Sequence, residues 1–142
     1  MKDLKTITTL FRATDAFSKA IQRDVKAYGL NVTEFGIMEA LFHKGRMNIK
    51  SLLEKVLITN SSMSYVIEQL IQKQYVIKQQ AFEDKRSYEI ELTEAGKLLM
   101  EKAFVKHRKH MRSIIEVLTQ EEEESLRLML KKIGKRANEY GI

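Results

Sequence analysis

The chain has 142 residues, 44% of them apolar, which suits a folded core with helical extensions. It contains no cysteine, which excludes disulfides, thiolate metal ligands and thiol redox switching, and no proline, which favours long unbroken helices and short loops. A net charge of +6 points toward an anionic partner such as nucleic acid.

The charge excess is spread rather than focused. Residues 48–93 hold six basic and six acidic side chains, residues 1–47 eight and five, and residues 94–142 eleven and eight. Bulk charge therefore supports an anionic partner without locating its site. No apolar stretch near residue 1 resembles a signal peptide or a membrane span, so the expectation is a cytoplasmic protein without a membrane partner.

From Leu4 to about Tyr28, the positions Leu4, Ile7, Phe11, Thr14, Ser18, Ile21, Val25 and Tyr28 recur at steps of three and four. They form one stripe on a long helix that Gly29 stops. Thr33 can cap a second helix with Ile37, Met38, Leu41 and Phe42 on one face, ended by Gly45. Asn48 caps a short third helix carrying Leu52, Leu53 and Val56. After a tight connection through Leu57 and Ile58, Thr59 caps a fourth that ends near Lys73. Two short helices joined so closely suggest a helix-turn-helix.

In the fourth helix Met63, Val66, Ile67 and Leu70 keep the helical period and should face inward, leaving Asn60, Ser61, Ser64 and Tyr65 outside. Val76 to Gln80 and Tyr88 to Leu92 read as two strands of a hairpin, with Tyr88, Ile90 and Leu92 inward and Glu89 and Glu91 outward. Ala81 to Ser87 projects between them as a loop. Thr93 caps a fifth helix that runs to about Leu118, and Thr119 with Glu122 makes a capping box for a sixth. In the sixth, the acids Glu121 to Glu124 lie at the positive end. Lys131, Lys132, Lys135 and Arg136 lie at the negative end, as the helix dipole prefers.

The resulting fold class is mainly α with a small β-hairpin wing. It is one unit over residues 1–142, with a winged helix-turn-helix at 33–93 and helical dimerisation regions at 1–29 and 94–142. Surplus apolar side chains on the N-terminal stripe and at Ile114, Ile115, Leu118, Leu126, Met129, Leu130 and Ile133 favour a homodimer, with an intramolecular bundle as the alternative.

A helix that reads DNA must enter a major groove about 12 Å wide with short polar side chains and no acid near the phosphates. Thr59 to Ile67 contains no acid, and Thr59, Asn60, Ser61, Ser62, Ser64 and Tyr65 supply donors for bases or phosphate. On the hairpin, Lys78 and Lys85 add cations, Arg86 suits the negative potential of a minor groove, and Asp84 can hold Arg86 or the loop backbone. The competing reading of Thr59, Asn60 and Ser61 is an ordinary helix cap, and that of Asp84 to Arg86 a solvated turn. Their order, helix, helix, strand, charged loop, strand, favours double-stranded DNA as the partner.

Several of these pieces carry a resemblance. Ser51 to Lys55, Thr59 to Ser64, Asp84-Lys85-Arg86 and Leu92-Thr93-Glu94-Ala95-Gly96, in that order and spacing, resemble the MarR family of bacterial transcription regulators over nearly the whole chain. The resemblance implies a winged helix-turn-helix in which Arg86 probes the minor groove, Asp84 orders the wing, and the helix from Thr59 to Lys73 enters the major groove. It also implies a repressor that responds to a small, often aromatic, effector at the junction of helical arms and winged domain. Phe11, Phe17, Tyr28 and Met38 are candidates for lining such a pocket, with core packing as the competing role. Three positions depart from the pattern: Leu57 and Gln74 stand where glycine is usual, and Leu53 where alanine is common.

Two further readings come from the residues. A metal-responsive version of the same fold would use His107 and His110, with His43, but Lys106, Arg108 and Lys109 surround the pair with cations and no carboxylate cluster accompanies it. No metal or cofactor is therefore assigned. An adaptor that binds protein without DNA specificity is the other alternative. Phosphate loop, nucleophile elbow and His-Glu metal motif are all missing, so no enzymatic activity is expected.

Overall fold

The computed structural model describes residues 4–56 and 60–140, which contain six α-helices and three short strands. The chain divides into two compact units, residues 1–107 and 108–142, with the boundary inside the fifth helix.

In the first unit, α1 spans Lys5–Lys26 and stops where Gly29 adopts φ 72°, a left-handed conformation open to glycine without cost. Only the later part of its stripe is packed against the core: Val25 is fully buried and Ile21 and Tyr28 lie against it, while Leu4, Ile7 and Phe11 stay exposed.

Helix α2 spans Val32–Lys44, and its cap is Asn31 rather than Thr33. Asn31 Oδ1 accepts from the Glu34 amide at 2.8 Å, and Glu34 Oε1 accepts from the Asn31 amide at 2.9 Å. The reciprocal pair satisfies two orphan donors of the first turn, which one hydroxyl at Thr33 would not do. Helix α3, Ile49–Lys55, is capped as expected, with Asn48 Oδ1 accepting from the Ser51 amide at 2.7 Å. Helix α4 spans Asn60–Gln72. The proposed cap Thr59 and the connection through Leu57 and Ile58 lie outside the described residues.

Strands β2, Val76–Gln80, and β3, Tyr88–Leu92, form the expected hairpin. The sheet nevertheless has three strands, in the order β1-β3-β2, because β1, Met47–Asn48, pairs antiparallel with Ile90 and Glu89. A two-residue strand is too short to show an alternating pattern, so only its backbone partners reveal it. On β3 the inward alternation holds for Ile90 and Leu92 and fails at Tyr88, which is exposed. Tyr88 lies at the loop end of the hairpin, beyond the helices that cover Ile90, and carries the Lys78 ammonium 4.6 Å above its ring centre.

The core joins Phe35, Ile37, Met38 and Leu41 of α2 to Leu52, Met63, Ile67, Leu70, Val76, Ile90 and Leu92. Met100 and Ala103 of α5, Glu94–Ile115, complete it. Each large side chain buried here contributes about 1.5–3 kcal/mol relative to exposure. In the second unit α6, Gln120–Glu139, begins with the expected capping box: Thr119 Oγ1 accepts from the Glu122 amide at 3.2 Å, and Glu122 Oε1 accepts from the Thr119 amide at 2.9 Å. Arg112 closes an ion pair with Glu123 at 3.1 Å, and no residue of α6 is buried within this chain.

Candidate nucleic-acid interface

Helix α4 sorts its side chains as its sequence requires. Met63, Val66, Ile67 and Leu70 are buried, and Ser62, Ser64 and Tyr65 on the other side are exposed. No acid occupies its first turn, so no acidic side chain of that turn opposes an anion at the positive end of the helix dipole. Asn60 and Ser61 belong to that turn; their side chains, and all of Thr59, lie outside the described residues.

The far end of α4 is held by charge. Glu34 is buried, 3% exposed, and its Oε2 accepts from Lys73 Nζ at 2.7 Å, while the same ammonium donates to the Gly29 carbonyl at 3.0 Å. One lysine thus ties the exit of α4 to the first turn of α2 and to the α1–α2 turn. Beyond it, Gln74 takes φ 65°, so a glutamine adopts the left-handed geometry usually given to glycine.

The wing is ordered from within. Ala81 donates to the Ser87 carbonyl at 2.9 Å, closing the loop, and Gln80 Nε2 donates to the Lys85 carbonyl at 3.1 Å. Asp84 Oδ1 accepts from the Arg86 amide at 3.0 Å and lies 3.6 Å from Arg86 Nε, while Asp84 Oδ2 accepts from Ser87 Oγ at 3.3 Å. The acid therefore fixes the turn, and the Arg86 side chain remains 95% exposed. Lys78 and Lys85 are exposed as well.

At the root of the wing, Thr93 Oγ1 donates to the Gln74 carbonyl at 2.7 Å and accepts from the Gly96 amide at 3.0 Å. The Thr93 amide donates to the Tyr75 carbonyl at 3.0 Å, and a Cβ on Gly96 would collide with that same oxygen. Leu92-Thr93-Glu94-Ala95-Gly96 is thus a joint: a buried leucine, a cap that also holds the preceding turn, and a residue with no side chain where two elements meet.

Over 139 residues the chain is 32% identical to the HTH-type transcriptional regulator MhqR of Bacillus subtilis, a match that covers 98% of this chain and 96% of the relative. The chain belongs to the MarR family. The model of that family matches residues 30–88, from the start of α2 to the wing. Family membership makes the chain a DNA-binding regulator of transcription. The fold agrees with AbsC, a MarR family transcriptional regulator from Streptomyces coelicolor, at TM-score 0.87 and 22% identity, covering 94% of this chain and 92% of that one. It also agrees with Bordetella bronchiseptica BpsR, whose DNA binding is regulated by 6-hydroxynicotinic acid, at TM-score 0.80 and 20% identity, covering 89% and 91%.

Within this MarR-family frame a further cation beside the hairpin strands, Arg46, has no signature in the sequence. Arg46 Nη2 donates to Glu91 at 3.1 Å and to Gln79 at 2.9 Å, and Arg46 Nη1 lies 3.7 Å from Glu89. The bond to Glu91 pushes the guanidinium still further above its ordinary range, so the cation persists and offsets the two acids of β3 beside the wing. Its signal was spatial, since Arg46 precedes a strand that the sequence does not announce.

The four candidates for an effector pocket differ in burial: Met38 is fully buried in the core, Tyr28 and Phe17 are half-buried, and Phe11 is exposed. A cavity of about 550 Å³ is lined instead by residues of α2 and α3, among them Val32, Gly36, Ala40, His43, Lys55 and Val56. Among the histidines, His107 Nδ1 lies 2.7 Å from Asp24 Oδ2 and its ring is 4.6 Å from Phe35, while His43 packs edge-on against Phe104 at 4.6 Å. Among the described residues no cluster of three metal-ligating side chains forms, and no helix is long and apolar enough to cross a membrane.

Proposed function

We propose that this chain is a ligand-responsive repressor that acts in the cytoplasm as a homodimer on a pseudo-palindromic operator. The first turns of α4 enter the major groove, where Thr59, Asn60, Ser61, Ser62, Ser64 and Tyr65 contact bases and phosphates. The wing reaches the adjacent minor groove with Arg86, held by Asp84, and Lys78 and Lys85 contact the backbone. The observation that carries this reading is the pairing, on one compact unit, of an acid-free helix start bearing exposed hydroxyls with an internally braced loop bearing an exposed guanidinium.

Two copies reading half-sites about 34 Å apart would double the groove length that one wing and one helix cover. The apolar side chains left exposed on α1 and α6 supply surface for that pairing. A small aromatic effector is supported by the regulation of BpsR by 6-hydroxynicotinic acid.

Gel-shift titration of genomic fragments across a salt series tests the assignment. Binding that prefers one fragment and weakens as salt is added supports it. Equal, weak binding to all fragments would reject a sequence-specific reader in favour of an adaptor.

A further inference from the structure

Phe82 is 97% exposed, more than any other large apolar side chain among the described residues. Single exposed apolar residues are common and carry no message by themselves. This one differs in where it stands. The hydrogen bond from Ala81 to the Ser87 carbonyl closes the hairpin, so Phe82 is the first residue of the projecting segment and shares it with Lys85 and Arg86. The loop holds itself through Asp84 and Gln80, leaving the Phe82 ring without a structural part in it. An ordered hairpin tip that displays an aromatic ring and a guanidinium has the two chemistries that minor-groove proteins combine: a cation for the negative potential and an apolar body against sugars and base edges.

We propose that Phe82 packs against the sugar and base edges of the minor groove beside Arg86, as an uncharged contact of the wing with double-stranded DNA. The inference rests on the wing reading given above. Its contribution is distinct in kind. Arg86 releases counterions when it binds, so its removal flattens the salt dependence, whereas a phenyl ring adds affinity that salt does not touch. The ring also reads no base identity, so it should tighten binding to all sequences that let the wing enter.

The test uses the full chain and a duplex selected from a random-sequence pool by that chain, with affinity measured by fluorescence anisotropy at several salt concentrations. For Phe82→Ala the expected result is a loss of about tenfold in affinity with an unchanged salt slope and melting temperature, and Phe82→Leu should recover most of the loss. Arg86→Ala in the same series should weaken binding and reduce the slope by about one. If Phe82→Ala binds as tightly as the parent while Arg86→Ala does not, the inference is overturned and the wing reading stands. If neither variant changes affinity, the wing is not at the DNA and both fall. A Phe82→Ala protein that changes its mass by light scattering, with DNA affinity intact, would assign the ring to a protein contact and also overturn the inference.

Discussion

Gly96 has a Tyr75 carbonyl where its side chain would be. Replacing it with alanine must push α5 away from the turn that Thr93 holds, and overpacking of that kind costs about 1–3 kcal/mol. Urea unfolding of Gly96→Ala should report that loss, and unchanged stability would mean that the joint yields freely. Gln74 presents the opposite case. A left-handed non-glycine residue costs about 1–2 kcal/mol, and glycine returns part of that gain through its greater freedom in the unfolded chain. Gln74→Gly should therefore stabilise the protein by about 0.5–1 kcal/mol in the same measurement. The motif containing Gly96 could be recognised in the sequence, and Gln74 could be seen as a departure from the family. Why each position matters could not, because the carbonyl that forbids a side chain at Gly96 arrives from another element. At the DNA itself, Arg86→Ala should lose about 1–3 kcal/mol of affinity at an unchanged melting temperature, and substitution of Ser61 or Ser64 should alter sequence preference by a similar amount.

At the level of elements, both hairpin strands were legible because β3 alternates from Glu89 to Leu92 and a polar, charged turn separates it from the β-branched start of β2. Helix starts were legible where an amide or hydroxyl side chain stands at the boundary, as at Asn48, Thr93 and Thr119. The cap of α2 stands two residues before Thr33 because Thr33 and Asn31 both suit a cap, and only the Asn31–Glu34 spacing completes a box. The helix faces followed from their periods, so the exposed side of α4 was read correctly at Ser64 and Tyr65. What periodicity could not supply was the fastening between elements. Lys73 and Glu34 are 39 positions apart and meet at 2.7 Å. Lys73→Met would leave the buried Glu34 carboxylate short of its cationic partner, which costs about 1–3 kcal/mol. Thermal unfolding should register the loss, and DNA affinity should fall with it as the exit of α4 loosens. Full stability in Lys73→Met would show the carboxylate to be satisfied without the lysine.

For the whole molecule, the question is what covers the apolar side chains that this chain leaves in water. Leu4, Ile7 and Phe11 on α1, and Leu126, Met129, Leu130 and Ile133 on α6, are exposed at helical spacing, and no residue of α6 is fully buried. A second copy is the proposed cover. Size-exclusion chromatography with light scattering should give twice the chain mass of 16.6 kDa at micromolar concentration. Leu130→Glu combined with Ile133→Glu should shift the protein toward the single chain while circular dichroism retains its helical signal. A single-chain mass for the unaltered protein would refute the dimer.

The fastening of Thr93 and Gly96 to the backbone of Gln74 and Tyr75 has a mechanical result. The departure of the reading helix, the return strand of the hairpin and the opening turn of α5 share a single pivot with almost no slack. A push on the opening turns of α5 would then tilt helix and finger together, like two tines of one fork, instead of being absorbed by a soft loop. If the helix and finger sit in grooves as proposed, an inducer acting there would need only a small angular displacement to lift both at once.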